Sequence, residues 1–297
     1  MLRALLLLVL ILPASPSYGV DTIRVLTTLP DLADWVREIG GERVEVRSLL
    51  TGLENYHSYE PRVSDVKAVA RSKVLVKVGL GLEDWLDGVV ENAGNSMLLL
   101  VEASSGVDVI GDTGHGDTGH GDHHPRGNPH VWVDPVAAQV MCRNIARGLE
   151  TADPLPGDFY RKHLEAYVQR LEAAASRIRS EVAQLPDRRF ISYHAAWPYF
   201  ARGLGFDLVG VVTRTPGQEP SARSLADLIE RIRSEKIRVL VTEPQLPSKL
   251  PEILAQETGI RVITLSHLLV AGKAKNYIEL MERNAGTLIA ALREPGP

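Results

Sequence analysis

The sequence predicts an α/β protein of two lobes, each a mostly parallel sheet flanked by helices, joined by one long rigid helix. Three observations predict it. Short β-rich apolar runs alternate with amphipathic helical stretches over residues 20–152. The same alternation returns over residues 187–297. Between them, residues 153–186 carry a helical pattern too long for one lobe. Strands separated by helices are joined by crossovers, and crossovers make parallel sheets covered on both faces.

In the first lobe, Thr22–Thr28 reads as a strand. Asp31–Ile39 follows as a helix, with Leu32, Trp35, Val36 and Ile39 at the i, i+3, i+4, i+7 spacing of one face, closed by Gly40-Gly41. Val44–Leu50 is a second strand, and Ser64–Ala70 a helix with Ser64 as its expected N-cap. Val74–Val78 is a short buried strand, Trp85–Asn92 a helix and Met97–Val101 a strand. Cys142 falls in helical sequence as a buried small hydrophobe, and as the single cysteine it has no internal disulfide partner.

The connecting helix is expected from about Gly157 to Leu185, bracketed by Pro154, Pro156 and Pro186. Leu164, Tyr167, Val168, Leu171, Ala175, Ile178 and Val182 recur there at steps of three and four. At 1.5 Å per residue it spans roughly 43 Å, so it runs along both lobes and resists bending. In the second lobe, strands are expected at Phe190–Tyr193, Leu208–Val212, Val239–Thr242 and Val262–Leu265. Helices are expected at Trp197–Leu204, Leu225–Glu235, Pro251–Thr258 and Tyr277–Leu292.

Two segments stand outside this grammar. Residues 1–19 combine Arg3, the unbroken apolar run Ala4–Leu12, the breaker Pro13 and small residues at Ser17-Tyr18-Gly19, the build of a cleaved secretory signal. The apolar run is far short of the roughly 20 residues of a spanning helix. No cysteine lies near the cleavage site for a lipid anchor, so a soluble periplasmic protein is expected. Residues 111–127, GDTGHGDTGHGDHHPRG, repeat Asp-Thr-Gly-His-Gly twice. Glycine so dense predicts a mobile surface loop. Its His115, His120, His123 and His124, interleaved with Asp112, Asp117 and Asp122, form a weak, adaptable set of metal ligands.

Composition narrows the function. With 44% hydrophobic and 24% charged residues the chain reads as globular, and a net charge of −4 argues against nucleic acid. Arg3 is the only charge in residues 1–19, so the processed chain is slightly more acidic still. Three further histidines stand at the edges of elements: His57 after a strand, His130 in Asn128-Pro129-His130, and His194 directly after Phe190–Tyr193. In α/β sheets ligands collect beyond the carboxyl ends of strands. Three imidazoles placed there are expected to converge on one metal ion in the cleft between lobes.

The blocks HSYEPRVSDVKAVARSKVLVKVGLGLEDWLD (57–87), NPHVWVDP (128–135), SYHAAWPYFARGLGF (192–206), TEPQLPSK (242–249) and NYIELMERN (276–284) resemble the zinc and manganese solute-binding proteins of ABC importers, the ZnuA-like or TroA-like group. The likeness covers nearly the whole processed chain. It implies metal ligation by His57, His130 and His194, and partnership with a membrane permease and its cytoplasmic ATPase. A histidine-rich loop before the second ligand is a habit of the zinc members. One position departs. Where the family has an aspartate in Leu-Asp-Pro-Leu, this chain has Leu265-Ser266-His267-Leu268, and Ser266 is a poor ligand. His267 is then the expected fourth ligand, with Glu243, Glu60 or a water behind it.

Neutral imidazoles favour Zn²⁺ over Mn²⁺, which prefers carboxylate oxygen, so Zn²⁺ is the expected cargo and manganese or another divalent ion the alternative. A zinc hydrolase is a second reading, since three histidines with an open position also occur at catalytic zinc. Neither a His-Glu-x-x-His run nor an evident general base supports it, so no enzyme is expected. A stand-alone metal buffer or an adhesin is a third. A monomer is the expectation for a diffusing carrier.

Overall fold

The computed structural model describes residues 22–111, 127–154, 157–213 and 220–294. The expected leader and nearly all of the histidine-rich run, including its four histidines and three aspartates, lie outside these residues.

In the first lobe the order is β1 (Ile23–Thr27), α1 (Pro30–Gly40), β2 (Val44–Ser48), α2 (Val63–Arg71), β3 (Val74–Lys77), α3 (Leu86–Ala93) and β4 (Leu99–Glu102). Two helices follow, α4 (Pro135–Ala152) and α5 (Phe159–Val182). The second lobe runs β5 (Arg189–His194), α6 (Pro198–Leu204), β6 (Asp207–Thr213), α7 (Ala222–Glu235), β7 (Val239–Thr242), α8 (Leu250–Thr258), β8 (Arg261–Thr264) and α9 (Tyr277–Arg293). The sheets have the orders β2-β1-β3-β4 and β6-β5-β7-β8, and every pairing within them is parallel. The two lobes therefore repeat one topology. In each, the first strand is central and successive crossovers leave it in opposite directions. That switch opens a crevice at the carboxyl ends of the strands.

The elements form for local reasons. In α1, Pro30 fits the first turn, where no amide hydrogen is needed, and Leu32, Trp35, Val36 and Ile39 are buried on one face. Gly41 ends it with φ +50, a conformation costly for a residue with a Cβ. The N-cap of α2 is Arg62 rather than the expected Ser64, which sits inside the first turn. The Asp65 carboxylate reaches back to accept from the Arg62 amide at 2.7 Å and from the Tyr59 hydroxyl at 2.8 Å, a stronger acceptor than a serine hydroxyl. At α4, Asp134 accepts from the Val136 amide at 2.7 Å and Pro135 opens the helix.

The connector is shorter than expected. Gly157 has φ +57 and is not helical, and Ala183 caps the other end, so α5 has 24 residues, about 36 Å. It still serves both lobes, packing against α1 and α4 of the first and α6 and α9 of the second. The main apolar core is continuous from Ile23 to Leu292 across both lobes, with a smaller cluster around Ile191, Ile232, Leu240 and Leu254 under α7 and α8. Cys142 is buried in α4, and burial raises its thiol pKa well above the ordinary value, so it behaves as a small hydrophobe. Among the described residues, no helix is long and apolar enough to cross a membrane.

Candidate metal centre

Three different segments deliver the three histidines to one place. His57 lies in a short 3-10 turn, Tyr56–Ser58, in the connection after β2. His130 enters the turn Val131–Val133 that leads into α4. His194 ends β5, the central strand of the second sheet. One ring nitrogen of each lies within 4.8 Å of the other two. His57 Nε2 and His130 Nε2 are 3.3 Å apart. Two nitrogens bound tetrahedrally at Zn–N of about 2.0–2.1 Å are also about 3.3 Å apart. That pair already has the length of one edge of a zinc tetrahedron. Ring centroids are 5.3 Å apart for His57–His130, 5.7 Å for His57–His194 and 4.8 Å for His130–His194.

Asparagines aim two of the rings. Asn55 Oδ1 accepts from the His57 amide at 3.0 Å, and Asn128 Oδ1 accepts from the His130 amide at 3.0 Å. Each is an Asx turn that fixes the backbone two residues on. Asn128 does more. Its Nδ2 donates to the Ala195 carbonyl at 2.7 Å, which leaves Oδ1 facing His130 Nδ1 at 2.7 Å. An amide oxygen only accepts, so Nδ1 carries the proton and the Nε2 lone pair points into the cluster. The same side chain ties the His130 turn to the residue after His194.

The walls are aromatic and buried. Tyr56 is buried, with its ring 4.5 Å from His57, 5.8 Å from His130 and 5.5 Å from His267 between centroids. Trp132 and Trp197 are also buried. His130 and His194 are 3% and 1% exposed, while His57 is half-buried and marks the way in.

The candidates for a fourth ligand lie outside the cluster of three. Ser266 turns its hydroxyl back to donate to the Leu268 carbonyl at 2.7 Å. The His267 ring is 6.4 Å from those of both His130 and His194. Neither of its nitrogens has a hydrogen-bond partner among the described residues. Burial, with the neighbouring charge of His57, lowers its pKa to about 3, so it is neutral with a lone pair available. Glu243 is buried, takes the Trp197 Nε1 hydrogen on Oε1, and has its pKa raised by burial to about 8. Glu60 is exposed.

Sequence reasoning did not single out Asn55 or Asn128, although Asn-x-His occurs at both sites and was a readable signal. It also missed Asp31 and Asp34 on α1, both buried. Asp31 Oδ2 accepts from the Leu269 amide at 3.0 Å and Asp34 Oδ2 from the Tyr277 amide at 2.9 Å. Nothing in a local pattern says that a helix of one lobe will hold backbone of the other.

Two matching lobes that bring three histidines together beside buried aromatic rings have the build of a two-lobed solute-binding protein. Residues 25–291 match the ZnuA family, zinc-uptake complex component A, periplasmic, and the chain belongs to that family. It is the metal-binding component of an ABC uptake system and is not an enzyme. A putative metal-binding protein of Treponema pallidum is 30% identical over 276 residues, covering 91% of this chain and 87% of the relative. A zinc-bound mutant variant of AdcAII from Streptococcus pneumoniae superposes with a TM-score of 0.81 at 27% identity, over 92% of this chain and 99% of that one. The binding protein FpvC of Pseudomonas aeruginosa, in complex with Mn²⁺, gives 0.78 at 28% identity, over 93% and 100%.

Proposed function

We propose that this chain captures Zn²⁺ with His57, His130 and His194 and hands it to a membrane permease driven by a cytoplasmic ATPase. The observation that carries this reading is the 3.3 Å edge between two imidazole nitrogens, with a third ring nitrogen within 4.8 Å. Each lobe contributes to the set, so engagement of both lobes by a permease can disturb the ligand geometry and release the ion. The chain works as a monomeric periplasmic carrier. Its lobes comprise residues 20–152 and 187–297, on either side of a connecting segment 153–186.

The choice of zinc follows from the donors. All three are imidazoles, a set that suits Zn²⁺ and serves Mn²⁺ poorly. The manganese reading is supported by the Mn²⁺ complex of the similar FpvC and by the likeness to a manganese-binding lipoprotein, MntA. His115, His120, His123 and His124, with Asp112, Asp117 and Asp122, serve as an accessory set that raises the local ion concentration. Competition of Zn²⁺ and Mn²⁺ for the purified chain, against a chromophoric chelator, tests the assignment. Tight 1:1 zinc binding that excess Mn²⁺ does not displace is expected. Equal or stronger Mn²⁺ binding would overturn the zinc assignment.

A further inference from the structure

The segment carrying His267 belongs to the second lobe by sequence but is fastened to the first. Its root is held at home: Asn284 of α9 accepts from the Ser266 amide at 3.2 Å and donates to the Ser266 carbonyl at 2.7 Å. Beyond that root the bonds change lobe. Trp132 Nε1 donates to the His267 carbonyl at 2.7 Å. The Leu269 amide donates to Asp31, and the Tyr277 amide, where α9 begins, donates to Asp34. Gly52 presses on the same turn, where a Cβ would lie 2.5 Å from the Leu269 carbonyl oxygen, and its own carbonyl accepts from Gln245 at 2.7 Å. So held, the His267 ring stands 6.4 Å from His130 and His194, with both nitrogens unpartnered among the described residues.

The carboxylates are expensive fasteners. Asp31 is fully buried, and its Oδ1 has no partner among the described residues. A buried carboxylate with unused acceptor capacity is poorly compensated, so little net free energy keeps this clasp shut. An imidazole with two unpartnered nitrogens is likewise out of balance unless something claims its lone pair. The ring's imbalance is relieved if the turn lets go and the ring swings toward the neighbouring cluster, while Asp31 exchanges the Leu269 amide for solvent.

We infer that Asp31 and Asp34 are positioning residues that hold His267 back as a reserve ligand, so that the ion sits on three imidazoles while the clasp is closed and gains a fourth when it opens. The inference rests on the three-histidine reading of the site. The closed clasp favours exchange of the ion, and the open clasp favours retention. A partner that pulls α1 against the β8–α9 turn sets which applies.

The test uses Co²⁺ alone as the probe, in the full processed chain. Visible absorption reports the coordination number, and stopped-flow transfer to excess chelator reports release. Replacing both carboxylates, Asp31→Ala with Asp34→Ala, is expected to strengthen the tetrahedral Co²⁺ bands and slow release at least about tenfold, the scale of effects from groups that position metal ligands. Adding His267→Ala should abolish that gain. The pair Asp31→Asn with Asp34→Asn, which keeps both acceptors and removes the buried charge, should hold the clasp shut and release Co²⁺ no more slowly than wild type. Release from the alanine pair that is unchanged or faster, or a gain that survives His267→Ala, would overturn the inference. Should the double alanine variant fail to fold, Asp34→Ala alone carries the test, with a smaller expected slowing in the same direction. Failure of the wild-type chain to bind Co²⁺ at one site would remove the three-histidine reading and this inference with it, and is seen before any clasp variant is compared.

Discussion

Asn128 shows how much one side chain decides at this site. Its amide fixes the His130 tautomer, the turn behind it and the link to Ala195. Asn128→Ala should therefore weaken zinc binding by about 10–100-fold, measured by chelator competition, while the far-ultraviolet circular dichroism stays unchanged. The ligands themselves should matter more. His57→Ala, His130→Ala and His194→Ala should each lower affinity by about two orders of magnitude or more, and wild-type affinity in all three would refute the site. Asp31 supplies a pH prediction. Burial raises its pKa from 3.8 to about 7, with the nearby Asp34 carboxylate raised to about 6. A raised carboxyl pKa means the folded state binds the proton more tightly than the unfolded one. The penalty for ionising Asp31 thus begins as pH rises past 3.8 and is complete above about 7. Asp31→Asn, which keeps an acceptor for the Leu269 amide, should be more stable than wild type at pH 8, on the order of 2–4 kcal/mol. The gap should narrow toward pH 5 in urea titrations.

At the scale of elements, the expected strands and helices match those observed to within a few residues because each announces itself locally. Val239–Thr242 is a short apolar β run and is observed with those bounds. The helical sequence around Cys142 does not by itself bound α4, although Asp134-Pro135 is a strong start signal and Met141, Cys142, Ile145 and Leu149 repeat at helical spacing. Its opening lies inside the motif that carries His130. The ends of α5 were misplaced because prolines bracket a helix without saying where it begins, and Gly157 with its left-handed φ settles that. The three clustered histidines were legible because residues at strand ends share one edge of a sheet. The standing of Glu60, Glu243 and His267 was not, since it depends on how the β8–α9 turn is held by the other lobe. Helix α5 yields its own prediction. Leu171, fully buried on its inner face, should cost about 2–5 kcal/mol when replaced by alanine, read from the midpoint of denaturant unfolding.

At the scale of the whole molecule, one core runs through both lobes and α5 packs against each. A close-packed interior of this kind does not hinge freely. Capture of the ion should therefore proceed with little change in the angle between lobes, and the movement that matters should be confined to turns such as the one carrying His267. The same continuity predicts that the lobes unfold together. Scanning calorimetry of the metal-free chain should give one transition, and Leu171→Ala should shift it as a unit. Two separated transitions would show that the lobes are independent.

The central claim is that His57, His130 and His194, drawn from three distant parts of the chain, share one ion. A crystal of the zinc complex, with anomalous differences collected at the zinc edge, addresses it most directly. The account predicts a single strong peak about 2.0–2.1 Å from one ring nitrogen of each. A strong peak elsewhere, with the three rings left uncoordinated, would contradict it.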